Sequence, residues 1–220
     1  MPIKKVLLTE VADPLLIDGL NSMGYKCIYD PAISQEKVQQ LIPELEGLVV
    51  ATRIVVNRQL LEAGKLLRFV ARAGSGMENI DTEFAREKNI TCINSPEGNA
   101  NSVGEHALGF LLAFYHNIIR ANSELQQLKW LVEENRVHEL EGRTVGIIGY
   151  GNTGKSFARK LAPLGMKVLA FDKYLENYSD EFVKEADMQQ LFKEAEIISL
   201  HIPLTRESVW LVDHHFLQQF

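Results

Sequence analysis

The sequence of 220 residues holds little cysteine and few clustered basic residues. Its two cysteines, Cys27 and Cys92, lie in apolar, strand-like stretches, and neither has a second cysteine or a histidine at metal-ligand spacing. We therefore expect reduced, buried core thiols, with neither a disulfide framework nor a metal site. The formal net charge is −6, and basic residues cluster no further than adjacent pairs such as Lys4 with Lys5. Because nucleic-acid surfaces need clustered Lys and Arg, this pattern argues against a nucleic-acid partner and favours a small molecule.

Long apolar runs, low-complexity tracts and internal repeats are also missing. The longest apolar stretch, residues 107–115, falls well short of the roughly 20 residues that span a bilayer, which argues against a membrane protein. The first ten residues have too short an apolar run for a signal peptide, so we expect the protein in the cytoplasm. What is present is an ordinary globular composition, with 46% apolar and 24% charged residues.

Short apolar runs alternate with helical patterns along the chain. Strands are predicted at 6–8, 26–29, 47–51, 67–71, 90–93, 143–148, 167–171 and 196–200, and helices at 14–23, 35–42, 58–63, 82–88, 155–164 and 187–194. Alternation of this kind predicts parallel sheets covered by helices on both faces, which is an α/β fold.

A single long helix is predicted from about Ser102 to about Lys129, and it is apolar nearly all round from Ala107 to Ile119. Such a helix must be covered on several sides, by a second domain or a second subunit. We therefore predict an α/β domain at 1–98, an interdomain and dimerisation helix at 99–132, and a second α/β domain at 133–220.

The sequence Gly-Tyr-Gly-Asn-Thr-Gly at 149–154 follows an apolar strand directly and opens a helix. In this context Gly149 permits a tight turn, Gly151 lets the backbone approach a pyrophosphate, and Gly154 allows close packing of helix on strand. The free N–H groups of Asn152, Thr153 and Gly154 would hold the phosphates. The segment predicts a dinucleotide site.

Asp172 ends the next predicted strand, eighteen residues beyond Gly154. A carboxylate there accepts hydrogen bonds from ribose hydroxyls and repels a 2′-phosphate, so NAD is predicted over NADP. The neighbouring Lys173 weakens this inference slightly.

Four motifs in order give the chain a resemblance to the D-isomer-specific 2-hydroxyacid dehydrogenases, and within them to the D-3-phosphoglycerate dehydrogenases. They are Arg-Ala-Gly-Ser-Gly-Met-Glu-Asn-Ile-Asp at 72–81, Asn-Ser-Pro-Glu-Gly-Asn at 94–99 with its continuation to 105, the glycine loop with Asp172, and Ser-Leu-His-Ile-Pro-Leu-Thr at 199–205. The resemblance implies a flavodoxin-like substrate domain, a Rossmann NAD-binding domain and a homodimer.

The resemblance also implies roles for residues of the first domain. Backbone N–H groups at Ser75 and Gly76 would bind the substrate carboxylate, and Arg72 would hold a substrate phosphate. A surface or interdomain ion pair is an equally good explanation of Arg72. The sequence departs from the family pattern at Glu78, where Asp is usual, and at Gly104, where Ala is usual; the latter should weaken its helix by up to about 1 kcal/mol.

Other matched positions would lie near the cofactor. Ser95 and Ser102 would stand at the mouth of the interdomain cleft, with helix capping as a compatible role for Ser102. The segment His201, Ile202 and Pro203 would line the adenine side of the site.

The family draws its catalytic Arg, Glu and His from segments that follow the motif at 199–205. After that motif the sequence has a helix-like stretch at 213–219 and no further strand, so we expect all three residues beyond Phe220. Three or four of about six Rossmann strands are recognisable. We therefore expect an incomplete Rossmann domain, and a fragment that lacks turnover by itself. The function predicted for the whole protein is NAD-dependent oxidation of a D-2-hydroxy acid, with 3-phosphoglycerate and 3-phosphohydroxypyruvate of serine biosynthesis as the favoured pair.

Two alternatives stay open. The substrate pair could instead be that of a glyoxylate or hydroxypyruvate reductase, or of a D-lactate dehydrogenase. The protein could also bind NAD(H) without catalysis and serve as a redox-sensing partner-binding protein, as the related C-terminal-binding corepressors do.

Overall fold

The structure, a computed structural model, describes residues 3–205 and 207–220. It contains two parallel sheets, each formed by strands that are consecutive in sequence. The chain divides into two compact units, Met1–Gly98 and Asn99–Phe220. The predicted α/β class is confirmed. None of the described helices is both long enough and apolar enough to span a membrane.

The first unit holds a five-stranded parallel sheet in the order β2-β1-β3-β4-β5, which is the flavodoxin-like order. The strands are β1 (Lys4–Leu8), β2 (Tyr25–Tyr29), β3 (Gly47–Val50), β4 (Phe69–Arg72) and β5 (Thr91–Ile93), and the helices are α1 (Pro14–Ser22), α2 (Gln35–Leu41), α3 (Arg58–Ala63) and α4 (Thr82–Glu87). Each helix starts at a side-chain cap, supplied in order by Asp13, Ser34, Asn57 and Asp81. These caps satisfy N–H groups that the first helical turn leaves without partners.

The core of the first unit lies on both faces of this sheet. One face buries Leu7, Leu48 and Val70 beneath α2, α3 and α4, and the other buries Val6 and Leu8 against α1. The four residues of β3, at the centre of the order, are all buried. Burial on both faces explains why the central strands read as continuous apolar runs.

The two cysteines are less buried than expected. Both are free and half-buried, because β2 and β5 form the two edges of the sheet. Partial burial raises the pKa of each thiol.

The second unit holds a four-stranded parallel sheet in the order β8-β7-β6-β9. Its elements are α5 (Ala100–Tyr115), α6 (Ile118–Gln126), β6 (Thr144–Ile148), α7 (Asn152–Leu161), β7 (Lys167–Phe171), β8 (Lys184–Glu185), α8 (Met188–Glu194), β9 (Ile197–Leu200) and α9 (His214–Leu217). This order matches the first four positions of the Rossmann order 3-2-1-4-5-6. Helices α5 and α7 cover one face of the sheet, and α8 and α9 cover the other.

The prediction of one helix from Ser102 to Lys129 is wrong, because the structure breaks it in two. Helix α5 ends at Tyr115, and α6 begins at Ile118. Between them Asn117 takes a left-handed conformation with φ of 49°, which asparagine adopts more readily than most residues. Ser102 does not cap α5, since that helix begins at Ala100 and its N-cap position is Asn99.

Candidate functional site

The glycine loop connects the carboxyl end of β6 to the first turn of α7. Gly149 has a φ of 95°, in the left-handed region that favours glycine. A Cβ on Gly154 would lie 2.2 Å from the carbonyl oxygen of Gly149, so α7 approaches the loop as closely as it does because residue 154 has no side chain. Around Gly151, by contrast, a Cβ would meet no atom of the described residues within 4 Å.

The open space at Gly151 is flanked by unpaired donors. The N–H groups of Asn152, Thr153 and Gly154 donate to no atom within the part of the chain that the structure describes, and no side chain caps α7. The positive end of the helix dipole adds to these donors. An anion such as a pyrophosphate fits this cradle, which is the position that the motif predicts.

Asp172 lies beside the loop, just beyond β7. Parallel pairing of Ile148 with Phe171 brings the ends of β6 and β7 together. One oxygen of the Asp172 carboxylate accepts the N–H of Tyr150 at 2.8 Å, and the other accepts the N–H groups of Tyr174 at 2.9 Å and Leu175 at 3.1 Å. The carboxylate is thus fixed to the glycine loop by a direct hydrogen bond.

The segment His201–Pro203 lies on the other side of the loop, after β9. The N–H of His201 donates to the carbonyl of Ile148 at 2.7 Å, and its own carbonyl would stand 2.5 Å from a Cβ on Gly149. Burial lowers the pKa of His201, and its Nε2 is 2.9 Å from the hydroxyl of Ser199. The half-buried ring of His201 packs against Phe157 of α7, with ring centroids 5.5 Å apart.

The carbonyl of Pro203 accepts the Ser208 hydroxyl at 2.6 Å. The glycine loop, Asp172 and the segment His201–Pro203 therefore meet at the carboxyl edge of one sheet, where open α/β folds bind their ligands. Ser102 has a different position, on an exposed face of α5, where it lines a surface groove with His106 and Gly109.

In the first unit, Arg72 is the last residue of β4, Ser75 and Gly76 follow that strand, and Ser95 follows β5. The Nε of Arg72 donates to the side-chain oxygen of Asn79 at 3.3 Å. No carboxylate of the described residues lies within ion-pair distance of the Arg72 guanidinium. The planar fork of that guanidinium is the geometry that binds phosphate and carboxylate groups.

The loop at Ser75 is held by its neighbours. The side-chain amide of Asn94 donates to the Ser75 carbonyl at 2.7 Å, and the N–H of Ser95 donates to the Gly74 carbonyl at 2.9 Å. Gly74 has a φ of 153°, which a side chain rarely permits. The Glu78 carboxylate occupies the space where a Cβ on Gly76 would lie.

Sequence reasoning missed three residues that surround the cofactor side of the site, namely Tyr150, Tyr178 and Asp180. The Tyr150 ring is buried, and it stacks on Tyr178 with ring centroids 5.4 Å apart. Its hydroxyl donates to the Asp180 carboxylate at 2.8 Å. The one feature of the sequence that could have pointed to this cluster is the large aromatic residue Tyr150 between two glycines of the loop.

Comparison with known proteins relates this arrangement to one family. The family model described as D-isomer specific 2-hydroxyacid dehydrogenase, NAD binding domain, matches residues 108–220, which is just over half of the chain. Hydroxypyruvate reductase of Thermotoga maritima is 39% identical over 181 residues, covering 82% of this chain and 59% of that protein. D-3-phosphoglycerate dehydrogenase of Archaeoglobus fulgidus is 32% identical over 210 residues, covering 94% of this chain and 40% of that protein. The chain therefore spans about half the length of these relatives.

Solved structures show the same fold. A glyoxylate reductase from Paecilomyes thermophila superposes with a TM-score of 0.88 at 19% identity, covering 100% of this chain and 71% of that one. An NAD-dependent formate dehydrogenase from Staphylococcus aureus, in complex with NAD, superposes with a TM-score of 0.83 at 25% identity, covering 99% of this chain and 70% of that one.

Proposed function

The chain belongs to the family of D-isomer specific 2-hydroxyacid dehydrogenases and carries its NAD-binding domain, and from this premise we propose that the protein is an NAD-dependent oxidoreductase of a D-2-hydroxy acid. NAD is the cofactor of this family's domain. When bound, it supplies the hydride acceptor or donor of the reaction.

One observation carries the proposal, namely the hydrogen bond between the glycine loop and Asp172. The Tyr150 N–H and the Asp172 carboxylate are 2.8 Å apart, so one rigid arrangement presents both phosphate donors and a ribose acceptor. Asn152, Thr153 and Gly154 would bind the pyrophosphate, and Asp172 would accept the adenosine ribose hydroxyls. His201, Ile202 and Pro203 would form the wall on the adenine side.

The substrate we propose is 3-phosphoglycerate, with 3-phosphohydroxypyruvate as its oxidised partner. Ser75 and Gly76 lie in a glycine-rich turn whose backbone N–H groups can form a nest for the substrate carboxylate. Arg72, positioned by Asn79, would bind the phosphate group. The named relatives include both phosphoglycerate dehydrogenases and a hydroxypyruvate reductase, and these two substrates differ by that phosphate.

The experiment compares 2-keto acids as substrates of the full-length protein and of its Arg72→Gln variant, because we expect the 220-residue chain to lack turnover by itself. NADH oxidation is followed at equal concentrations of 3-phosphohydroxypyruvate, hydroxypyruvate, glyoxylate and pyruvate. We expect the phosphorylated substrate to be preferred, and we expect Arg72→Gln to reduce kcat/KM for it by at least about tenfold more than for hydroxypyruvate. An equal loss for both substrates would refute the role of Arg72 and favour a hydroxypyruvate reductase.

NADH binding by the full-length protein without turnover of any keto acid would refute the enzymatic proposal. That result would support the alternative of a non-catalytic NAD(H)-binding protein. Binding is measured separately, by quenching of protein fluorescence with NADH.

We also propose that the protein is a homodimer that pairs through α5 and α6. Phe110, Phe114 and Ile119 are 66%, 81% and 73% exposed on this helical region, and apolar surface of that extent marks interaction sites. Light scattering should give twice the chain mass, and Phe114→Glu should give the mass of one chain with unchanged circular dichroism. A single-chain mass for the wild type would refute this proposal.

A further inference from the structure

The segment that follows β7 folds back on the end of that strand through the hydroxyl of Tyr178. This hydroxyl accepts the backbone N–H of Asp172 at 3.0 Å and donates to the carbonyl of Ala170 at 2.8 Å. Ala170 has a second partner, because its carbonyl also accepts the N–H of Ala186 at 2.8 Å. Asp172 has no such substitute among the described residues. The Tyr178 hydroxyl therefore fixes the main chain at Asp172.

Tyr150 fixes the same residue from the other side. Its N–H donates to the Asp172 carboxylate at 2.8 Å, and its hydroxyl donates to the Asp180 carboxylate at 2.8 Å. Its ring stacks on that of Tyr178 at an interplanar angle of 30°. The two tyrosines thus join the glycine loop, Asp172 and the returning segment into one network.

Asp180 anchors the far end of the network. Its second oxygen accepts the N–H groups of Phe182 at 2.8 Å and Val183 at 3.1 Å. Partial desolvation of the carboxyl opposes its ionisation, but these N–H groups and the Tyr150 hydroxyl hold the pKa of Asp180 below its usual range. The anchor is therefore an ionised acceptor at neutral pH, and hydrogen bonds to an ionised acceptor are the strong kind.

We propose that Tyr150 and Tyr178 are positioning residues for cofactor selection, which hold the Asp172 carboxylate where a 2′-phosphate of NADP(H) would lie and thereby set the preference for NAD(H). The inference rests on the proposed NAD-dependent function. A fixed carboxylate discriminates because it accepts two ribose hydroxyls in one geometry and repels a phosphate dianion at short range. A carboxylate on a mobile main chain no longer accepts both ribose hydroxyls in one geometry, and it can move away from the phosphate. The preference for NAD(H) over NADP(H) therefore falls.

The test measures the dissociation constants of NADH and NADPH for Tyr178→Phe and Tyr150→Phe. Each variant should bind NADH roughly tenfold more weakly, as expected when one hydrogen bond that positions Asp172 is lost. NADPH binding should change less, so the ratio of the NADPH to the NADH dissociation constant falls. Tyr115→Phe is the matched control, because its ring also packs in the core of the second unit. The control should leave the ratio unchanged.

A double-mutant comparison separates positioning from general stability. In an Asp172→Asn background, Tyr178→Phe should leave the ratio unchanged, because the charge through which it acts is gone. Equal weakening of NADH and NADPH binding by Tyr178→Phe, or the same shift of the ratio in both backgrounds, overturns the inference.

Asp180→Asn tests the same network in case the tyrosine variants fold poorly. Asp180→Asn changes an exposed side chain at the far end of the network and should lower the ratio in the same direction, to a smaller extent. An unchanged ratio in Asp180→Asn overturns the role of Tyr150. A wild-type protein that binds neither nucleotide would refute the proposed function itself, which is a different outcome.

Discussion

Replacing Gly104 with alanine should destabilise the second unit, although helix propensity alone predicts the opposite. Gly104 is buried on α5 at its contact with α7. A Cβ there would lie 2.5 Å from the Ser156 hydroxyl, 3.0 Å from the Ser156 carbonyl carbon and 3.1 Å from the Phe157 nitrogen. The hydroxyl can rotate away, but the two backbone atoms move only if α7 moves. The expected weakening of the helix by glycine is thus outweighed by packing.

The magnitude follows from two opposing effects. Alanine gains about 1 kcal/mol in helix propensity over glycine, and an added methyl group in a packed contact costs about 1–3 kcal/mol. The free energy of unfolding should therefore fall by up to about 2 kcal/mol. Because α7 opens with the glycine loop, NADH binding should weaken as well.

Gly109→Ala is the matched control in the same helix. A Cβ on Gly109 would meet no atom of the described residues within 4 Å, so this variant should stabilise the unit by up to about 1 kcal/mol. Both variants gain the same helix propensity, so the difference between their free energies of unfolding gives the steric cost of the methyl group at position 104. Urea denaturation followed by circular dichroism, at two protein concentrations to detect dimer effects, gives both values. Equal stabilisation by the two substitutions would refute the reasoning.

Three further predictions concern the cofactor site. Gly154→Ala places a Cβ 2.2 Å from the Gly149 carbonyl oxygen, so thermal melting should show a less stable protein that NADH no longer stabilises. Burial lowers the pKa of His201 from its ordinary 6.5. The neutral ring therefore stabilises the fold above pH 6.5, and this contribution is lost as the pH falls through the lowered pKa. His201→Asn should lessen the decline of Tm between pH 7.5 and 5. Glu207 pairs with Lys173, so Glu207→Gln should free that ammonium and strengthen NADPH binding a few fold, whereas a Lys173→Ala/Glu207→Gln protein should show no such gain.

The periodicity of apolar residues in the sequence predicted most of the strands and helices. Buried parallel strands such as β3 and β6 are continuous apolar runs, and the helices of the first unit begin at recognisable caps such as Asp81. The motif at 149–154 also predicted correctly that a tight loop would join β6 to a helix. These features depend on neighbouring residues, which is why the sequence alone reveals them.

The features that were missed depend on residues distant in sequence or on a single dihedral angle. The helix break at Asn117 needs one left-handed residue in an otherwise helical pattern. The contact of Tyr150 with Asp180 joins positions thirty residues apart, and the stretch between Asp172 and Val183 has no periodicity that would predict it. The roles of Arg72, Ser75 and Gly76 toward a substrate, and those of Ser95 and Ser102 toward the cofactor, remain predictions.

The first sheet has a further consequence for how the protein is made. Its five strands come from one uninterrupted stretch, between Lys4 and Ile93, and within the described residues no strand of the second unit enters it. Domains generally fold as units, with the N-terminal one first during synthesis. The ribosome therefore releases every strand of this sheet before it has translated the glycine loop. We therefore expect the first unit to fold during synthesis without the second unit and without NAD.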